Sequence, residues 1–229
     1  MKYEAVVSRS DGHVGRVMLT WDLCAAVGYA GRDQKAVRGH IEELVKLGVS
    51  TPYAVPAMYW IDPERVSSRE RLFVIGDATS GEAEFFLARD EDEDLFVTLA
   101  SDHTDRALET VSVSKAKQAC DKVLAPVFWK VSDVREHWDR IELSSEITDS
   151  KGRRVYQKGT LGDFLPPERL EELAREDAPF PGKISLFSGT LAAVGGIACA
   201  DSFGMALSDP VLNRVIRFGY SVTVLPDRS

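Results

Sequence analysis

Short strand-like segments closed by turn residues recur along most of the sequence, and they limit the possible folds more than any other property. Residues 3–8 (YEAVVS) and 14–19 (VGRVML) flank SDGH, whose Ser-Asp-Gly is a turn signal, so the pair reads as a hairpin. VPAMYWID (55–62), RLFVIG (71–76), EAEFFLA (82–88) and LFVTLA (95–100) read as strands. The acidic run DEDED at 90–94 lies between two of them. It lacks the ligand spacing of a calcium loop and reads as a solvated hairpin turn. EHWDRIELSSEITDSKGRRVYQKG predicts a long hairpin turning at 149–152, and ISLFSGT, FGMALSD and VIRFGYSVTVLP return to strand patterning.

Helical signals are few. Residues 33–47 carry an apolar stripe of Val37, Ile41, Leu44 and Val45, with Asp33 as N-cap and Gly48 as stop. LPPERLEELARE is a short helix opened by proline, residues 104–117 are partly helical, and 22–30 have an ambiguous period. The expected fold is therefore a β-rich α+β arrangement with few short helices. Residues 1–55 would form a small N-terminal lobe and 56–229 the main β-rich core, packed as one unit.

Composition narrows the function. The 229 residues, 44% hydrophobic and 28% charged, suffice for a core without disulfides or a structural metal. The net charge of −8 and the lack of a basic stripe interleaved with aromatics argue against a nucleic-acid partner. Cys24, Cys120 and Cys199 have neither disulfide-framework nor zinc spacing, as expected of reduced thiols in a cytoplasm. The first residues lack the apolar core of a signal peptide, and the apolar run near ISLFSGTLAAVGGIACA is too short and interrupted to span a bilayer. No membrane association is expected.

Four groups of residues carry chemistry. Glu82 and Glu84 stand at i and i+2, one face of a strand, where both face water or share a cation. Asp102 directly follows a strand and would complete a three-carboxylate set suited to Mg²⁺, with Mn²⁺ or Ca²⁺ as alternatives. His40 and Glu43, at i and i+3 on a helix, form either a surface pair or a base with its orienting carboxylate. Lys115 or Lys117 in SKAKQ would neutralise an enolate or a substrate carboxylate, unless both are simply solvated. SGTLAAVGG offers Thr190 and a glycine-rich turn whose amides suit an oxyanion, or only a tight turn; it lacks the ending of a P-loop.

The order of these segments resembles the fumarylacetoacetate hydrolase superfamily, in a prokaryotic branch. The family's GRNYxxHxxE stretch looks like GRDQKAVRGHIEE, with Arg32, His40 and Glu43 and a longer gap before the histidine. Its P-x-hydrophobic-F segment looks like VPAMYW, and its E-x-E strand like GEAEFFL. NDxxxRDLQ looks like SDHTDRALE, giving Asp102 and Arg106, with Glu109 in place of glutamine. RAKSFD looks like KAKQACD, giving Lys117; Gly-x-x-x-Q-x-G looks like GRRVYQKGT, giving Gln157; GTPxGVG looks like GTLAAVG, giving Gly189 and Thr190.

The resemblance spans roughly residues 28–225. It implies a mixed β-roll or sandwich, a homodimer, and a divalent metal on Glu82, Glu84 and Asp102. His40, Glu43 and Lys117 would be catalytic. Arg32, Arg106, Glu109, Gln157, Gly189 and Thr190 would bind substrate. The implied activity is metal-dependent hydrolysis or lysis of a small oxo acid, acylpyruvate or β-diketone through a stabilised enolate, with C–C cleavage favoured. Decarboxylation, tautomerisation, hydration and ligand binding without catalysis are the alternatives on the same scaffold. The Gln-to-Glu departure at position 109 bears on which substrate the site accepts.

Overall fold

The computed structural model describes residues 1–46 and 51–228; the side chains of His40, Glu43 and Leu44 are outside the described set, as is Gly48, the expected helix stop. Strands β1 (Lys2–Ser8), β2 (Val14–Thr20) and β3 (Leu23–Gly28) precede helix α1 (Gln34–Lys46). There follow β4 (Ala57–Ile61), β5 (Val66–Ser67), β6 (Arg71–Ile75), β7 (Thr79–Ser80), β8 (Ala83–Arg89), β9 (Leu95–Ser101) and β10 (Thr104–Asp105). After α2 (Arg106–Glu109) and α3 (Val113–Ala119) come β11 (Lys122–Leu124), β12 (Val127–Lys130) and α4 (Val131–Val134). The long hairpin β13 (Glu142–Asp149) and β14 (Gly152–Thr160), helix α5 (Pro167–Asp177), β15 (Ile184–Phe187), β16 (Ser202–Asp209) and β17 (Arg214–Leu225) complete the chain.

The expected fold class is observed. Ten strands form one mixed sheet whose main path runs β2-β1-β12-β9-β8-β15-β3-β4, and five form a second, β14-β13-β16-β17-β6. Strands β8 and β9 read as continuous apolar runs because they are buried on both faces. Their alternation splits them between two cores. Phe85, Leu87, Val97 and Leu99 pack with Leu143, Phe203, Leu207 and Ile216 of the five-stranded sheet. Phe86, Ala88, Phe96 and Ala100 point the other way, into a second core. That core also takes Ala5 and Leu19 from one end of the strand order and Tyr59 and Ile61 from the other. A sheet whose two ends share one core must curl, so the molecule is a roll backed by a sandwich partner.

The boundary expected at residue 55 runs through the large sheet. β3 lies between β15 and β4, and β1 pairs in parallel with β12, so strands from the first 55 residues share the large sheet with strands from the rest of the chain. Asp33 caps α1 as expected, its Oδ1 accepting from the amides of Lys35 and Ala36 at 2.9 and 3.1 Å. No helix among the described residues is long and apolar enough to cross a membrane. The three cysteines are free; Cys199 alone is exposed.

Candidate metal and ligand site

Strand register assembles the carboxylates. In the β8–β9 hairpin, Ala83 pairs with Ser101 and Glu84 with Ala100, so the next position places Asp102 opposite Glu82. The Asp102 amide donates to the Glu82 carbonyl at 3.1 Å. Cross-strand neighbours share a face, as do i and i+2, so all three side chains project together. Their oxygens lie within 4.8 Å of one another. The acidic turn 90–94 fixes this register: Asp90 Oδ1 accepts from the amides of Asp92 and Asp94 at 3.0 and 2.9 Å. The run is a hairpin turn, as its spacing suggested.

Three cations answer the carboxylates. Lys117, on α3, donates to Asp102 Oδ2 and lies 3.5 Å from Glu82 Oε2. Lys122 sits 2.7 Å from Asp102 Oδ1 and donates to the His103 carbonyl at 2.5 Å. Arg106 lies 3.0 Å from Glu82 and 2.8 Å from Glu109, and its Nε donates to Ser80 Oγ at 2.7 Å. Of the two candidate lysines, Lys117 is buried and Lys115 exposed, so only Lys117 reaches the site. Burial disfavours charge on Asp102, but Lys117 and Lys122 outweigh it and hold its carboxyl far below the usual range. Glu82 is likewise held down by Arg106 and Lys117 against the effect of burial. Glu84 behaves oppositely: burial and then Asp102 push it well above the usual value, although the Gly189 amide donates to it at 2.8 Å.

That donor set fits a hard divalent ion. Three buried or half-buried carboxylates converge, and one of them has too little positive charge nearby to hold its own. The site opens into a small cleft of about 80 Å³, lined by Gly28, Tyr29, Tyr59, Glu109, Lys117 and Thr190 among others. This is far below the roughly 300–1,000 Å³ of pockets for drug-sized ligands, so the ligand is small. A groove of about 660 Å³ on the five-stranded sheet, floored by Ser144, Gly204 and Ala206, is larger but lies away from the carboxylates.

Several residues expected to meet substrate have other work. Arg32 is turned aside, bonded to Asp139 at 2.7 and 2.6 Å and to the Phe164 carbonyl at 2.6 Å, and it is absent from the cleft lining. Gln157 is buried behind the site. Its Oε1 accepts from the Ala83 amide at 2.9 Å, and its Nε2 donates to Thr190 Oγ1 and the Leu191 carbonyl at 2.7 Å each, so it positions Thr190. The Gly189 amide does hold a carboxylate, but that of Glu84. Gly189 has φ of 86°, and a Cβ there would meet the Val27 carbonyl at 2.9 Å, so only glycine brings its amide to this place. His40 and Glu43 belong to α1, with side chains outside the described residues.

Sequence reasoning missed Lys122, whose only signal is a lysine opening an apolar strand. It also missed Tyr29, which lines the cleft with φ of 62°. A left-handed aromatic residue is a conformational outlier of the kind that collects at functional sites.

A family model described as Protein of unknown function (DUF2848) matches residues 27–220. The chain belongs to this family. No curated protein matches the DUF2848 chain in sequence. Among solved structures, Cg1458 with inhibitor matches it with a TM-score of 0.65 at 13% identity, covering 93% of this chain and 84% of the other. A 2-keto-3-deoxy-D-arabinonate dehydratase complexed with magnesium and 2,5-dioxopentanoate matches with a TM-score of 0.62 at 15% identity, covering 93% and 77%. At such identities the likeness shows that this DUF2848 chain shares their fold.

Proposed function

We propose that the protein is a metal-dependent hydrolase or lyase of the fumarylacetoacetate hydrolase type, acting on a small oxo acid with C–C cleavage favoured. The observation that carries this reading is the meeting of Glu82, Glu84 and Asp102 within 4.8 Å at a cleft sized for a small ligand. The dehydratase of like fold holds magnesium and a dioxo acid, which supports the choice of metal and substrate class.

Glu82, Glu84 and Asp102 would hold Mg²⁺, or Mn²⁺ or Ca²⁺ in its place. The bound ion supplies Lewis-acid stabilisation of an enolate. Lys117, already beside Asp102 and Glu82, adds an ammonium donor for that developing negative charge. Lys122 lies on the far oxygen of Asp102 and fixes the carboxylate's orientation. Thr190, held by Gln157 and by its own bond to the Ala83 carbonyl at 3.0 Å, orients the ligand from the cleft wall. On the resemblance, His40 with Glu43 would move the proton or activate water, and the active form would be a homodimer.

The test is calorimetric. Mg²⁺ titrated into chelator-stripped protein is expected to bind stoichiometrically, and Glu84→Gln to weaken binding by roughly 10-fold or more. EDTA is expected to abolish turnover of acylpyruvates, followed by ultraviolet absorbance, and Mg²⁺ to restore it. Unchanged affinity in the variant, or turnover indifferent to chelator, overturns the proposal.

A further inference from the structure

We infer that the cleft selects a mono-anionic oxo acid whose far end donates hydrogen bonds, as a hydroxyl or ammonium group does, and that Glu109 reads that end. This rests on the oxo-acid reading above and names the substrate class of the same site.

The argument is one of cations already spent. Lys117 is the one described cation lining the cleft, and it is bound to Asp102 and close to Glu82. Lys122 is fully buried between Asp102 and the His103 carbonyl. Arg106 is closed in by Glu82, Glu109 and Ser80 and does not line the cleft. Arg32 is paired with Asp139 elsewhere. No uncommitted cation among the described residues therefore faces a second substrate carboxylate.

The opposite charge does face the ligand. Glu109 lines the cleft while its Oε2 accepts from Arg106. A carboxylate has about four lone-pair sites, so one donor leaves it able to accept from the cleft side as well. Tyr29 and Tyr59 form neighbouring walls, and Lys117 Nζ already lies 5.8 Å over the Tyr59 ring. Aromatic faces beside a carboxylate suit a donor or a cation. They do nothing to relieve a second negative charge, which Glu109 would repel. Specificity by repulsion needs no larger contact area, which matters in a cleft of about 80 Å³.

Stable oxamates, which present the chelating half of a 2-oxo acid, test this in the Mg²⁺-loaded protein by calorimetry. The probes are oxamate, N-oxalylglycine with a carboxylate tail, N-(2-hydroxyethyl)oxamate and N-(2-aminoethyl)oxamate. At least one of the hydroxyl and ammonium compounds is expected to bind about tenfold or more tightly than N-oxalylglycine. Whichever of the two binds tighter identifies a neutral or a cationic tail. Glu109→Gln is expected to bring the ratio close to one, mainly by strengthening N-oxalylglycine as Arg106 loses a partner. N-oxalylglycine binding as tightly as both others to the unmodified protein overturns the inference and leaves the oxo-acid reading standing. A preference that survives Glu109→Gln overturns the role of Glu109. If none of the four, oxamate included, binds in a Mg²⁺-dependent way, the oxo-acid reading itself fails and the inference with it.

Discussion

Single side chains here differ in how far they are answered by opposite charge. Asp102 and Asp209 are both fully buried acids, yet they serve different ends. Asp102 belongs to the ligand site. Asp209 is structural: it caps a turn by accepting from Val211 and Leu212 and pairs with Arg214 at 3.2 Å and His137 at 3.0 Å. Burial raises its carboxyl pKa, but the Leu212 amide, His137 and Arg214 outweigh it and leave the value below the ordinary one. A folded-state pKa below the unfolded one means the unfolded chain binds more protons between the two values. The stabilisation is then complete above the unfolded value, about 3.9 for Asp, and is lost as pH falls through the depressed folded value. Asp209→Asn is expected to cost about 3 kcal/mol at pH 7, read from urea unfolding. The gap from the unmodified protein should shrink near pH 3; a gap independent of pH would show that Asp209 acts through shape alone.

At the level of elements, the β8–β9 hairpin carries the site and the five-stranded sheet pins it from behind. The pin is tight at Gly81, just before the E-x-E segment. A Cβ there would stand 2.7 Å from the Phe203 ring and from the Tyr220 hydroxyl. Tyr220 in turn bonds Ser101 and His103 at 2.9 Å each, so one residue of β17 braces both sides of the Asp102 turn. His103, buried and near Lys122 and Arg106, is held neutral, its pKa lowered to about 3, which suits its two hydroxyl partners. Gly81→Ala is expected to destabilise the protein by about 1–3 kcal/mol in thermal or urea unfolding. Retention of full stability would mean that the two sheets are not locked together here. The E-x-E spacing and the exit of Asp102 from a strand were legible because period and turn are local properties. The intramolecular partners of Gln157 and Gly189 were not legible for the converse reason. Their partners lie 74 and 105 residues away, and nothing local distinguishes an amide that meets a ligand from one that meets a neighbouring strand.

For the whole molecule, the decisive property is the curl of the large sheet, which joins early and late parts of the chain. Strand β3 is buried along almost its full length between β15 and β4. Removing residues 1–55 would strip β15 of one neighbour and open the second core, which also contains Ala5, Leu19, Trp21 and Ala26. A chain beginning at residue 56 is expected to show no cooperative unfolding transition by circular dichroism. A cooperative, soluble fragment would instead show that residues 56–229 fold without the N-terminal segment.

The sequence by itself determined where most of the long strands run, though not β3 or β12, where they turn and that two glutamates share a face. Those are consequences of backbone geometry and neighbouring residues. Tertiary structure alone decided which distant cation answers which carboxylate: Lys122 on Asp102, Arg106 on Glu82, Arg32 on Asp139. Such pairings arise when segments distant in the chain leave water together. Charges deprived of solvent then take whatever opposite charge the packing brings within reach.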